Sequence, residues 1–200
     1  MLYFFESLIS DIIRLVVYMN IYLEEKINKE PYYKRISNDK IINVTGSSGS
    51  GKSTFCHQFQ NNNYIYIDTD ELKDERDSDN NDCQRLKKYI IEKYHRLPDI
   101  VTEFPIYYKE ILEYFKNQDK ILVIDSAQFG YIINDIDILK GEIYILRTSI
   151  DECYKRVLQR WISNHPEYKE EDYRKYKERK KGIYNWYHNI NKLIDEIEKL

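Results

Sequence analysis

The chain has few of the residues that build linkers, disulfide frameworks or metal clusters. Its 200 residues include six glycines and four prolines, too few for a low-complexity linker between domains. The three cysteines, Cys56, Cys83 and Cys153, are odd in number and widely separated, with no CxxC motif and no paired histidines. This pattern indicates neither a disulfide framework nor a zinc site. We therefore expect a single domain in a reducing, cytoplasmic compartment.

The chain also lacks an excess of basic residues. Its formal net charge is −3 at pH 7, which argues against wholesale nucleic-acid binding because that function needs a basic surface to neutralise phosphates. A local basic surface is still compatible with this charge. Hydrophobic residues make up 42% and charged residues 32% of the chain, a balance that is ordinary for a soluble globular protein.

The N-terminal segment is apolar but interrupted by charge. Within residues 2–23, Glu6, Asp11 and Arg14 fall inside the span that a bilayer-crossing helix would need, so a transmembrane helix is not expected. Polar residues recur there at spacings of three and four, which predicts an amphipathic helix. We expect residues 1–37 to form a helical extension packed on the domain, with weak membrane-surface association or a dimer contact as the alternatives.

Apolar runs and helical spacings alternate through the rest of the chain. Short β-branched runs predict strands at residues 40–45, 64–68, 120–125 and 142–146. Helical spacing predicts helices at 53–60, 83–95, 105–117 and 149–161, and one long or broken helix at 170–200. This alternation is typical of a doubly wound parallel sheet with helices on both faces, a three-layer α/β/α fold.

A glycine-rich loop follows the first of these strands. It consists of Gly46, Ser47, Ser48, Gly49, Ser50, Gly51, Lys52, Ser53 and Thr54. The loop satisfies G-x-x-x-x-G-K-[ST], in which the glycines let successive backbone N–H groups point at phosphates. Lys52 supplies a charge for the β and γ phosphates, Ser53 is placed to ligate Mg²⁺, and Thr54 to reach the α phosphate. The loop predicts a P-loop site that takes ATP or GTP together with Mg²⁺.

Acidic residues end two of the predicted strands. Asp125 ends an apolar strand, which is typical of a carboxylate that holds the Mg²⁺ shell through water; capping of the next helix is a compatible alternative. Asp68 and Asp70 follow the second strand at the same edge of the sheet, where ligands collect. One of the two is our candidate catalytic base for a phosphoryl acceptor, and helix capping by Thr69 or Asp70 is the alternative.

Together these elements resemble the nucleoside and nucleotide kinase-like group of P-loop proteins. The resemblance covers about Ile41 to Arg160, and Asp68-Thr69-Asp70 looks most like shikimate-kinase-type enzymes, in which such carboxylates bind Mg²⁺ and the acceptor hydroxyl. It implies a P-loop kinase-like domain over residues 38–200, with a lid at about 156–181. In such a lid Arg156 and Arg160 would close over the transferred phosphate, whereas a solvated helix face is the alternative.

Other nucleotide-binding classes lack their motifs here. LSGGQ, typical of transport and DNA-repair ATPases, does not occur, and neither do the D-x-x-G and N-K-x-D motifs of switch GTPases, so ATP is favoured over GTP. We expect a Mg²⁺-dependent kinase acting on a small hydroxyl or phosphate acceptor, nucleoside-like or nucleotide-like. The alternatives are a regulatory or partner-binding ATPase and a kinase acting on nucleic-acid ends through basic residues near 174–181.

Overall fold

The computed structural model describes residues 31–73, 80–164 and 174–200, without the side chains of 174–179. The helix predicted within residues 2–23 lies outside this range, as does the middle of the predicted lid. Within the described residues, none of the helices combines the length and the apolar character that crossing a bilayer requires.

The described residues form one five-stranded sheet. Its strands are β1 (Tyr32–Arg35), β2 (Ile41–Gly46), β3 (Tyr64–Asp68), β4 (Ile121–Asp125) and β5 (Glu142–Leu146). Their spatial order is β1-β5-β2-β4-β3. Strands β2 to β5 pair in parallel, and they are the four strands that the apolar runs predict. The α/β class is therefore confirmed.

The all-parallel prediction is wrong at one edge of the sheet, where β1 runs antiparallel to β5. Residues 32–35 had been assigned to the helical extension, but they form this edge strand. Its residues are alternately half-buried and exposed, and Lys34 and Arg35 are charges of the kind that protect a sheet edge. The turn after β1 docks on Gly141, where Ile36 N–H donates to the carbonyl of Gly141 at 2.8 Å. Gly141 has a φ of 75°, a conformation that favours glycine.

Five α-helices are described. They are α1 (Lys52–Cys56), α2 (Asn81–Tyr94), α3 (Phe104–Phe115), α4 (Ile150–Asn164) and α5 (Arg174–Ile197). Helix α1 is shorter than predicted and continues as a 3₁₀ turn over His57–Phe59. Further 3₁₀ turns, which the helical spacing does not predict, span Thr69–Leu72, Gln128–Tyr131 and Ile133–Ile138. Helix α2 begins two residues early because the Asn80 side chain accepts hydrogen bonds from the N–H groups of Asp82 and Cys83.

Helices pack on both faces of the sheet, but unequally. A small cluster on one face joins Val44 and Val123 to Cys56 of α1, with Phe55 and Phe59 packed against it. The larger cluster on the other face contains side chains of α2, α3, α5 and the first turn of α4. Alternation along the strands sends Ile65 and Ile67 into this larger core, as a period of two requires. Because β2 to β5 are parallel, their carboxyl ends lie at the same edge of the sheet.

Candidate functional site

The glycine-rich loop lies at the carboxyl end of β2, between that strand and α1. Gly49 and Gly51 have φ values of 82° and 96°, which side chains rarely adopt. A Cβ atom at Gly49 would collide with the backbone carbonyl of Cys153 on α4, and one at Gly46 with the Ser50 side chain. The backbone conformation therefore favours glycine at positions 49 and 51, whereas at position 46 glycine leaves room for the Ser50 side chain.

Neighbouring elements hold the loop in place. The Thr148 hydroxyl, just after β5, donates to the carbonyl of Ser50 at 2.8 Å. The Ser47 hydroxyl contacts the sulfur of Cys153 at 3.3 Å, and Arg156 Nη1 donates to the carbonyl of Gly49 at 3.3 Å. Because α4 and the end of β5 both bind the loop, its backbone amides are positioned before any ligand arrives.

Lys52, Ser53 and Thr54 form the first turn of α1. Lys52 is half-buried, and the Ser53 and Thr54 residues are exposed. The positive charge of Lys52 lowers the pKa of the buried Asp125 carboxyl, so the two side chains are electrostatic neighbours. Helix α1 has five residues, so its dipole is small. An anion at this loop would therefore be held by the backbone amides and by Lys52.

Two carboxylates meet beside the loop. Asp68 and Asp125 are paired in register at the ends of β3 and β4, and Asp125 is only 2% exposed. Its Oδ2 accepts a hydrogen bond from the Tyr66 hydroxyl at 2.9 Å. Burial raises the pKa of Asp125, against the lowering effects of Lys52, Tyr66 and the Cys56 thiol. Burial and the charge of Asp125 raise the pKa of Asp68 to about 6.

Buried polar atoms without a partner gather at this point of the structure. Among the described residues, five buried side-chain atoms have no hydrogen-bond partner: Asn43 Oδ1, Thr45 Oγ1, Ser50 Oγ, Asp125 Oδ1 and Arg147 Nε. Ser50 belongs to the loop, and Thr45 and Asp125 lie at the carboxyl ends of β2 and β4. A buried unpartnered polar group costs about 1–3 kcal/mol, and such groups call for a water, an ion or a ligand. Three of the five atoms therefore belong to the glycine-rich loop or to the strand ends beside it.

The residues present fit a magnesium ion. No group of three or more His, Cys, Asp or Glu side chains within the described ranges could hold a metal by itself. Mg²⁺ is usually held by one or two protein oxygens, with waters and substrate phosphates completing its octahedron. The unpartnered Oδ1 of Asp125 and the hydroxyl of Ser53 are oxygen donors of that kind.

Asp70 lies further out than Asp68. It is exposed, its carboxylate pairs with Lys73 at 3.6 Å, and its backbone N–H donates to Asp68 Oδ1 at 2.8 Å. Asp68, rather than Thr69 or Asp70, therefore caps the short 3₁₀ turn. The Thr69 hydroxyl is buried and donates to Ser126 at 2.8 Å. Of the two predicted base candidates, Asp68 is the one that the structure brings next to Asp125.

A cavity of about 820 Å³, here called the arginine cavity, opens on one side of the loop. It is lined by Gly49, Gly51, Thr54 and three arginines, Arg147, Arg156 and Arg160. Arg156 and Arg160, both predicted, lie one turn apart on α4. Arg147 was missed, although it follows β5 directly and the carboxyl ends of parallel strands collect ligand-binding residues. With Glu152 as the acidic residue of its described lining, this wall carries a net positive charge in a chain that is acidic overall.

A second cavity of about 700 Å³, here called the amide cavity, opens at the first residues of the loop. Ser47 and Ser48 line it together with Gln128, Asn185, Trp186 and Asn189. The sequence motifs point to none of the last four, which the fold brings in from the segment after β4 and from α5. Asp68 and Asp70 do not line this cavity.

A comparison with protein-family models finds no match to this chain, and a comparison with curated proteins finds no similar sequence. Function therefore has to be inferred from the chemistry of the site itself.

Proposed function

We propose that this protein is an ATP-dependent phosphotransferase of the P-loop class, which transfers the γ phosphate to a small hydroxyl or phosphate acceptor. The observation that carries the proposal is the convergence of the glycine-rich loop, Lys52 and the unpartnered oxygen of Asp125 at one edge of the sheet. A polyanion bound to a divalent cation satisfies the amides, the ammonium and the carboxylate together.

ATP binding is assigned to the loop and the arginine cavity. The amides of residues 46–54 hold the phosphates, and Lys52 adds its charge at the β and γ positions. Thr54 and Arg147 line the cavity beside the loop, which leaves space there for the nucleoside half of ATP. Its volume of about 820 Å³ is in the range of ligand pockets for molecules of this size.

Magnesium would be held by the Ser53 hydroxyl and, directly or through water, by Asp125. When bound, the ion neutralises charge on the β and γ phosphates. Without a cation Asp125 is a buried carboxylate with a raised pKa, which is an unfavourable state for a charged group. A positive partner in addition to Lys52 would relieve it.

The acceptor hydroxyl needs a base, and Asp68 suits this role best. A pKa of about 6 keeps most of its carboxyl ionised at pH 7, while it is more basic than an ordinary aspartate. Arg156 and Arg160 line the arginine cavity, next to the loop to which the phosphates are assigned, and would stabilise charge that develops during transfer. We assign these three residues, with Lys52 and Asp70, to the catalytic region, Asp70 as the outer neighbour of Asp68.

The test is ADP release from Mg²⁺-ATP by the full chain, measured against a panel of hydroxyl and phosphate compounds. Lys52→Ala should lower the stimulated rate at least about 100-fold, since it removes a charge that acts on the transition state. The matched control is Lys40→Ala, because Lys40 precedes β2 at the opposite end of that strand and pairs with Asp119 at 2.7 Å.

Two results would count against the proposal. Equal rates of ADP release in the Lys52→Ala and Lys40→Ala proteins would show that the loop lysine takes no part in the reaction. Hydrolysis of ATP that no small acceptor accelerates would instead favour a regulatory ATPase.

A further inference from the structure

The amide cavity and the arginine cavity reach the loop from two sides. Ser47 and Ser48 line the first cavity, and the two described linings share no residue. The loop residues that line the second cavity are Gly49, Ser50, Gly51 and Thr54. A phosphoryl group bound by the loop therefore has a cavity on each side. If ATP occupies the cationic side, as proposed above, the acceptor has the amide cavity available.

The described lining of the amide cavity carries no charged side chain. It contains no Asp, Glu, Lys, Arg or His, whereas three arginines and Glu152 line the other cavity. A carboxylate or phosphate taken out of water needs a cationic or multiple N–H partner, since burying an unpaired charge is strongly unfavourable. A charged acceptor is therefore a poor match for this wall, and an uncharged one is a good match.

Amide side chains supply most of its polar groups. Asn185 and Asn189 are four residues apart on α5, so they lie on one face of the helix. Gln128 is fixed by Ser126, whose hydroxyl donates to its Oε1 at 2.9 Å, which leaves the amino group of Gln128 for a ligand. Each primary amide offers two donors and an acceptor and can pair with the edge of a heterocyclic base or with hydroxyl groups.

Flat and apolar groups complete the wall. Trp186 is fixed by its indole N–H, which donates to the carbonyl of Ala127 at 2.9 Å, and by an edge contact with Tyr187 at 4.9 Å between centroids. Tyr131, Val101 and Ile183 add aromatic and aliphatic surface. Aromatic walls with a few directional polar groups are typical of sites for small, partly apolar molecules.

We propose that the amide cavity binds the phosphoryl acceptor and that this acceptor is an uncharged, nucleoside-like alcohol: a flat heterocycle carrying hydroxyl groups, without a phosphate or carboxylate. This inference rests on the proposed phosphotransferase function. In the reaction the acceptor oxygen forms the new bond to the γ phosphorus, and the bond from that phosphorus to the β–γ bridging oxygen breaks. ADP leaves with the electron pair, and the hydroxyl proton passes through water to Asp68, which does not itself line the cavity, and on to solvent.

The experiment compares matched pairs of acceptors, each nucleoside against its own 5′-monophosphate, in the Mg²⁺-ATP assay with the full chain. The wild-type protein should release ADP at least about 10-fold faster with a nucleoside than with its monophosphate, because only the monophosphate places an unpaired charge in the cavity. Asn185→Arg should lower the ratio of the nucleoside rate to the monophosphate rate, or bring it below one, because the exposed arginine side chain supplies a cation for the phosphate. Asn62→Arg, in the turn before β3, is the matched control.

Binding is measured separately from turnover, by quenching of tryptophan fluorescence with each nucleoside in the wild-type and Trp186→Phe proteins. Quenching in the wild-type protein that is lost in Trp186→Phe supports nucleoside binding in the amide cavity. Such quenching without any release of ADP would count against the phosphotransferase function and not against the cavity. Stimulation by monophosphates or acids alone overturns the uncharged acceptor while the phosphotransferase stands. Absence of both binding and stimulation with every uncharged compound also overturns it, as does an unchanged ratio in Asn185→Arg.

Discussion

Asp68 and Asp125 end neighbouring parallel strands in register, and the charge of each disfavours ionisation of the other. The pKa of Asp68 is raised to about 6 by burial and by Asp125, and burial raises that of Asp125. The fold thus holds two neighbouring carboxylates, and the ammonium of Lys52 lies close enough to Asp125 to lower its pKa against the effect of burial. This excess of negative charge is what a divalent cation would neutralise.

Asp68 and Asp125 should make the free energy of unfolding of the protein depend on pH in the absence of nucleotide and metal. Since the folded pKa of Asp68 is about 6 and its ordinary value is 3.8, its favourable contribution is present below pH 4 and is lost as pH rises through 6. A change of this size corresponds to about 3 kcal/mol, which solvent screening at this half-buried group reduces to about 1–2 kcal/mol.

Asp68→Asn tests this directly, because Asn keeps the oxygen that caps the following turn. The free energy of unfolding of the wild-type protein should fall relative to that of the variant between pH 4 and pH 6.5. Urea unfolding across that range measures the difference. A difference that does not vary with pH would show that Asp68 titrates normally in the folded protein.

Tyr66→Phe should destabilise the protein by about 1–3 kcal/mol. The substitution removes the hydroxyl that donates to Asp125 Oδ2 and leaves a second oxygen of a buried carboxylate without a strong partner. The pKa of Asp125 should then rise further, since the Tyr66 hydrogen bond lowers it. Thermal or urea unfolding gives the loss of stability.

The control for Tyr66 is a double-mutant cycle with Asp125→Asn. The two substitutions should be less than additive, because Tyr66→Phe removes the donor of this hydrogen bond and Asp125→Asn removes the charge of its acceptor. Strict additivity would contradict a direct interaction between Tyr66 and Asp125.

Gly49→Ala should destabilise the protein by about 2–3 kcal/mol, since φ is 82° and the new Cβ would meet the backbone of Cys153 on α4. Gly182 is a matched control on α5: a Cβ there has no neighbour within 4 Å. Gly182→Ala should stabilise the helix by about 0.5–1 kcal/mol. Urea midpoints of the two variants should therefore move in opposite directions, and a loss of equal size in both would refute the contact with α4.

The parallel strands and the loop could be predicted because their signals are local. Four apolar β-branched runs predict β2 to β5. The glycine-rich motif with its flanking strand predicts the loop between β2 and α1. Asp68 and Asp125 were identified by their position at strand ends, and the structure places them side by side.

Features that depend on distant pairing could not be predicted. Strand β1 is four residues long and half polar, and its pairing partner β5 lies more than 100 residues further along the chain, Tyr32 being opposite Ile145. The amide cavity is likewise assembled from the loop, the segment after β4 and α5. Gln128 and Trp186 have no local pattern that identifies them, because their role follows only from which elements pack together.

Arg156 allows a test of the two hypotheses for the arginines of α4, which are phosphate binding and a solvated helix face. Arg156 donates to the carbonyl of Gly49 in the loop and pairs with Glu152 at 2.9 Å, and it lines the arginine cavity. If it binds phosphate there, Arg156→Ala should weaken Mg²⁺-ATP binding about 5- to 10-fold, the size of one exposed charge-assisted hydrogen bond. The loss of affinity should become smaller as the salt concentration is raised, because the side chain is partly exposed to solvent.

The control is Lys155→Ala, the exposed neighbour on α4, which should leave ATP binding unchanged. Calorimetric titration with Mg²⁺-ATP compares the two variants. Equal affinities for the two variants and the wild-type protein would mean that Arg156 only belongs to a solvated helix face.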